Sequence, residues 1–103
     1  MKIVFASRCQ QGLRDENQDR TGAEITDEKA CFVVCDGVAG LAGGDRAAQL
    51  VRDTLLADLR DQPRLTPENT HAAIERCRAA LREAQTQQPG FSRMSTTLAA
   101  LFI

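Results

Sequence analysis

Hydrophobic and polar positions change period several times along the 103-residue chain. Lys2 to Ser7 alternates weakly and is rich in Ile, Val and Phe, which predicts a strand over 2–7. Cys9 to Arg20 is polar and charged with Gly12 inside it, and reads as a loop that something must hold in place. A second strand is expected near 22–26, ending in a turn at Thr26-Asp27-Glu28-Lys29. Ala30 to Cys35 is a short, continuous, β-branched apolar run, which predicts a strand over 30–35 buried on both faces. Gly37, Gly40, Gly43 and Gly44 end it.

From Asp45 the spacing becomes helical. Ala47, Ala48, Leu50, Val51, Leu55, Leu56 and Leu59 trace one face, with Arg46, Arg52, Asp53 and Arg60 opposite, so a helix is predicted near 44–60. Pro63 stops it. Thr66 as N-cap, Pro67 at the first helical position and Glu68 in the first turn start a second helix, near 67–86. Its apolar face is Ala72, Ala73, Ile74, Cys77, Ala80, Leu81 and Ala84, and Gln87-Gln88-Pro89-Gly90 breaks it. A last strand is expected over 96–103. Strands followed by helices and a further strand make an α+β domain, with no internal repeat.

Composition narrows the function. Thirteen basic and 14 acidic residues leave a net charge of -1, which gives no electrostatic case for nucleic acid or an anionic membrane surface. The four aromatics are all Phe, so no base-stacking platform is evident. No apolar run approaches the roughly 20 residues of a membrane span. The N-terminus, MKIVFASRC, lacks the longer apolar region and cleavage site of a secretory signal, so a cytoplasmic location is the default. Cys9, Cys31, Cys35 and Cys77 contain no CxxC pair and read as reduced, partly buried small hydrophobes; with His71 they have the wrong spacing for zinc. The apolar run LAALFI at the end of the chain is an exposed-strand hazard. It suggests a domain cut through, and an open sheet covered by a homodimer or by exchanged elements.

Three polar stretches interrupt this frame: LRDENQDR over 13–20, Cys35-Asp36-Gly37-Val38-Ala39-Gly40, and Met94-Ser95-Thr96-Thr97-Leu98. A carboxylate at the mouth of a buried strand suffers desolvation unless something positive meets it. A hard divalent cation would, since Mg²⁺ and Mn²⁺ favour carboxylate, carbonyl and water oxygens. Gly37 would let its carbonyl approach such an ion beside Asp36. The bland alternative is a turn at Asp36-Gly37 with Asp45 capping the helix. A phosphate-binding loop is rejected, because there is no Gly-Lys-Ser/Thr and the glycine spacing is DGxxGxxGG rather than GxGxxG. Asp19 offers a second carboxylate, and Arg14 a planar donor fork suited to phosphate oxygens. Read alone, that loop could equally be a solvated charged run.

Arg14-x-x-Asn17-Gln18-Asp19, then Asp36-Gly37-x-Ala39-Gly40, then Ser95-Thr96-Thr97-Leu98, in this order, resembles the metal-dependent protein serine/threonine phosphatases (the PPM, or type 2C, family) of bacterial type. The likeness covers nearly the whole chain. It implies the N-terminal part of a four-layer α-β-β-α sandwich with antiparallel sheets, residues 1–103 forming the first portion of one catalytic domain. It implies hydrolysis of phosphoserine or phosphothreonine in signalling proteins, with Mn²⁺ or Mg²⁺, two ions in the complete domain, and attack by a metal-bridging water. By the same resemblance Asp36 bridges the metals and the Gly37 carbonyl contacts one of them. Asp19 and Gln18 act through metal-bound waters, Arg14 binds the substrate phosphate, and Asn17, Thr96 and Thr97 support the site.

The chain departs from the family pattern in places. Gln18 stands where many members have Glu, Val38 where animal members have a His assigned as general acid, and Ala39 and Ser95 replace glycines. The family's later aspartates have no counterpart within residues 1–103, so weak metal affinity and negligible activity are expected of this polypeptide alone. The competing reading is a catalytically dead phosphatase-like module that binds a protein partner. A plain structural domain explains the helices and strands but none of the three polar stretches.

Overall fold

The computed structural model describes residues 19–38 and 42–103. The strand predicted over 2–7 lies outside them. Two strands, β1 (Asp19–Ile25) and β2 (Ala30–Asp36), precede two helices, α1 (Gly44–Arg60) and α2 (Pro67–Gln87), and strand β3 (Ala99–Phe102) ends the described chain. The sheet has the order β1-β2-β3 and is antiparallel throughout. This α+β arrangement is the expected first part of the sandwich.

Strand β1 starts three residues before the predicted 22, because Asp19, Arg20 and Thr21 pair with Asp36, Cys35 and Val34 despite their polarity. The hairpin to β2 closes on Thr26, whose hydroxyl accepts the N–H groups of Glu28 and Lys29 at 3.3 and 3.2 Å. Side-chain capping of this kind fixes a tight turn. Strand β3 is shorter than the predicted 96–103, since regular pairing with β2 covers only Ala99–Phe102, and the stretch before it is held by Thr97 bonding Asp36 and by an isolated bridge between Gly37 and Thr96.

Alternation along β2 sends Cys31, Val33 and Cys35 into the core, where Val51, Leu55, Leu56 and Leu59 of α1 meet them. Leu55 is completely buried and contributes about 2 kcal/mol through the apolar area it removes from water. Gly22 of β1 allows this contact, because a Cβ there would stand 2.6 Å from Leu56 Cδ1. Burial raises the thiols of Cys31, Cys35 and Cys77 to about 11, so all three pack as neutral apolar groups.

The opposite face of β2 departs from the expectation of burial on both sides. Val34 is 51% exposed, and Leu101 and Ile103 are 57% and 53% exposed. No described element packs on this face, since both helices lie on the other.

Helix α1 has the predicted bounds. Its cap position is Gly43, with φ of 87°, and Asp45 lies in the first turn rather than at the cap. Helix α2 begins as predicted at Thr66 and Pro67. Thr66 Oγ1 accepts from the Asn69 N–H at 3.1 Å and Asn69 Oδ1 accepts from the Thr66 N–H at 2.9 Å, a reciprocal capping box. Only Ala73 and Cys77 of its apolar face are buried. Ile74 and Leu81 line a groove beside Leu98, Ala100 and Phe102, because α2 packs on α1 and not on the sheet.

At the far end of α1 lies a buried ammonium. Lys29 is 4% exposed and donates to the carbonyls of Leu59 (2.6 Å), Arg60 (2.8 Å) and Gln62. The carbonyls of Leu59 and Arg60 lie at the negative end of the helix dipole, and that of Gln62 just past the helix end. Lys29→Met should therefore cost about 2 kcal/mol in urea denaturation with an unchanged slope. A loss below about 0.5 kcal/mol, the range of ordinary surface substitutions, would contradict this role.

Candidate functional site

Asp19 is the first residue of β1 and Asp36 the last of β2, and the register places them directly opposite each other. The hydrogen bonds of Asp36 define the geometry of that pair. Its N–H donates to Thr97 Oγ1 at 3.2 Å, and its carbonyl accepts from the Thr97 N–H at 2.9 Å. The backbone polar groups of Asp36 thus face Thr97 and turn away from β1. The Asp19–Asp36 pair is then of the non-hydrogen-bonded kind, with Cα atoms about 4.5 Å apart and side chains on one face.

Backbone groups alternate sides along a strand, so the Gly37 carbonyl turns the other way, past the end of β1. The bonds around it agree: Gly37 bridges Thr96, flanked by the Asp36–Thr97 bond and by Val38 N–H to the Ser95 carbonyl at 3.0 Å. Two carboxylates and one carbonyl therefore gather at the same end of the sheet. Like charges directly opposite each other destabilise a strand pair, by up to about 1 kcal/mol on the scale of cross-strand pairs. An all-oxygen set of this kind suits a hard divalent cation, and the residues present fit one. Among the described residues no group of three or more His, Cys, Asp or Glu side chains forms, so an ion here would complete its shell from water or from other donors.

Of the residues singled out in the sequence, Asp19, Asp36, Gly37, Thr96 and Thr97 come together here. Arg14, Asn17 and Gln18 lie outside the described residues, although Asp19 fixes where their loop joins the sheet. Val38 is 36% exposed and has no proton to give from its side chain.

The support around the site was not foreseen. Gly43 lies against Phe91, where a Cβ would be 2.6 Å from the ring. Arg46 stacks on that ring at 4.9 Å and donates to Gln88 Oε1 at 2.8 Å. Gln85 Nε2 donates to the Met94 carbonyl at 2.7 Å. Together these contacts tie the start of α1 and the end of α2 to the segment that leads into Ser95–Thr97. Pro89-Gly90-Phe91 reads in the sequence only as a helix breaker; the structure winds it into a single 3₁₀ turn.

The sequence model of the family described as Protein phosphatase 2C matches residues 6–103. No curated protein sequence matches the chain significantly. Solved structures share its fold, among them the following three. A serine/threonine phosphatase, PstP/Ppp, of Mycobacterium tuberculosis is 30% identical with a TM-score of 0.78, over 95% of this chain and 41% of its own. A bacterial serine phosphatase is 20% identical with a TM-score of 0.81, over 93% and 46%. The serine/threonine phosphatase Stp1 of Staphylococcus aureus is 18% identical with a TM-score of 0.81, over 100% and 45%. The chain thus spans less than half the length of each.

The clasp on Asp36 is directly testable. Thr97→Val keeps the side-chain shape and removes the hydroxyl, a loss of about 1 kcal/mol, or roughly fivefold faster hydrogen exchange at the Asp36 amide. Unchanged exchange would mean that the Thr97 hydroxyl does not hold this strand end.

Proposed function

The chain belongs to the protein phosphatase 2C family, and on that premise we propose that it is the N-terminal portion of a metal-dependent phosphatase acting on phosphoserine and phosphothreonine in proteins. The observation that carries the reading is the juxtaposition of Asp19, Asp36 and the Gly37 carbonyl at one end of the sheet. Asp36 and Gly37 would hold Mn²⁺ or Mg²⁺ directly, and Asp19 would hold its waters in place, with Gln18 beside it. Bound divalent ions supply a water of lowered pKa and neutralise charge that develops on the phosphoryl oxygens.

The chain's own residues would do the rest. Arg14 would orient the phosphate through its paired N–H donors. Thr97 keeps Asp36 from twisting out of line by bonding both its backbone groups. Val38 cannot act as general acid, so the leaving serine or threonine oxygen would take its proton from water. The exposed face carrying Val34 and Leu101 would receive the second sheet of the sandwich, or in its absence a second copy of this chain.

Hydrolysis of a phosphothreonine peptide with Mn²⁺ tests this, using the chain and a version extended in its genomic reading frame. The extended chain should be active, lose activity with EDTA and regain it with Mn²⁺. Asp36→Asn should cost more than about 100-fold, since even outer partners of a metal ligand are worth 10 to 100-fold. If neither chain shows metal-dependent hydrolysis, the reading fails and a partner-binding module of the same fold replaces it.

A further inference from the structure

A ring of four side chains joins the start of β1 to α1. Arg20 donates from Nη1 to the carbonyl of Asp19 at 2.8 Å and from Nε to Gln49 Oε1 at 2.9 Å. Gln49 Nε2 then donates to both carboxylate oxygens of Asp53, at 2.9 and 2.8 Å. Asp53 accepts from Arg52 Nη1 at 2.8 Å, and Arg52 Nε returns to β1 at the carbonyl of Thr21. Helical spacing allows this, because residues 49, 52 and 53 are three and four apart and share one face of α1.

The two carbonyls at the ends of this ring are those turned away from β2, as the pairing of Asp19 with Asp36 requires. The ring therefore fixes the outer side of β1 from Asp19 to Thr21, where Asp19 faces Asp36. Fixing those carbonyls holds the first residue of β1 opposite Asp36. Gln49 is the joint. It accepts from Arg20 and donates to Asp53 at the same time, which a carboxylate or a hydrocarbon side chain of its size cannot do.

We infer that the Arg20–Gln49–Asp53–Arg52 ring is a positioning device that holds Asp19 opposite Asp36 and so sets the affinity of the divalent-cation site. This rests on the metal-dependent reading above. None of the four side chains is proposed to touch the ion.

The test is Mn²⁺ binding to the chain extended in its genomic reading frame, read as loss of the free-ion electron paramagnetic resonance signal well below each variant's melting midpoint. Gln49→Glu sets a carboxylate against Asp53 and breaks the ring. Adding Asp53→Asn restores every donor and acceptor with the polarity reversed and the net charge unchanged. Gln49→Leu breaks the ring without adding charge. The single variants should raise the Mn²⁺ dissociation constant roughly tenfold, and the double variant should return it to within about twofold of wild type. A purely structural ring would lower the melting midpoint in the single variants and leave the dissociation constant unchanged, which overturns the inference alone. A wild-type chain that binds no Mn²⁺ overturns the inference together with the reading beneath it. Should Gln49→Glu fail to fold, Gln49→Leu against the double variant decides the matter by the same comparison.

Discussion

Two like charges held face to face are the constraint on which the rest of this structure turns. Asp19 and Asp36 close the same end of a strand pair, on its narrow, non-hydrogen-bonded step. It is restrained from both flanks, by Thr97 bonding the backbone of Asp36 on one side and by Arg20 and Arg52 bonding the outer carbonyls of β1 on the other. A divalent cation would turn the same proximity from a cost into a binding site.

Strand β2 joins this end to the stability of the domain. One of its faces packs Cys31, Val33 and Cys35 against α1, and the other carries Val34 and Asp36. At its start, Lys29 caps the final carbonyls of α1 and so anchors the helix to the hairpin. The helix is thus fixed at its C-terminal end by an ammonium and at its N-terminal end by Gly43 against Phe91. Between these anchors it offers Gln49, Arg52 and Asp53 to β1. Core packing, helix capping and site geometry are therefore one connected problem.

Much of this was legible in the residues. The bounds of α1 followed from its apolar period, and Thr66-Pro67 marked the start of α2, because caps and periodicity are local signals. The clustering of Asp19, Asp36, Gly37, Thr96 and Thr97 was anticipated through the family resemblance, since no local rule says that residues 19, 36 and 97 meet. Three features were not legible. Asp19 and Arg20 looked like loop because their polar side chains hide a strand whose partners lie in β2. Phe32 and Val34 looked like residues of a strand buried on both faces, because a sequence does not record which neighbours are present to cover it. Lys29 read only as the end of a turn, because its burial depends on carbonyls some 30 positions away.

On the proposed reading a divalent cation would sit on Asp36 and Gly37, with Asp19 beside it. Amide NMR spectra of the chain extended in its genomic reading frame, recorded as Mn²⁺ is added below stoichiometry, locate it, because paramagnetic broadening reports distance from the ion. Asp19, Arg20, Asp36, Gly37 and Thr97 should broaden first, and Asp36→Asn should remove the effect. Broadening centred on other carboxylates such as Asp58 or Asp61, or none at any site, would contradict it.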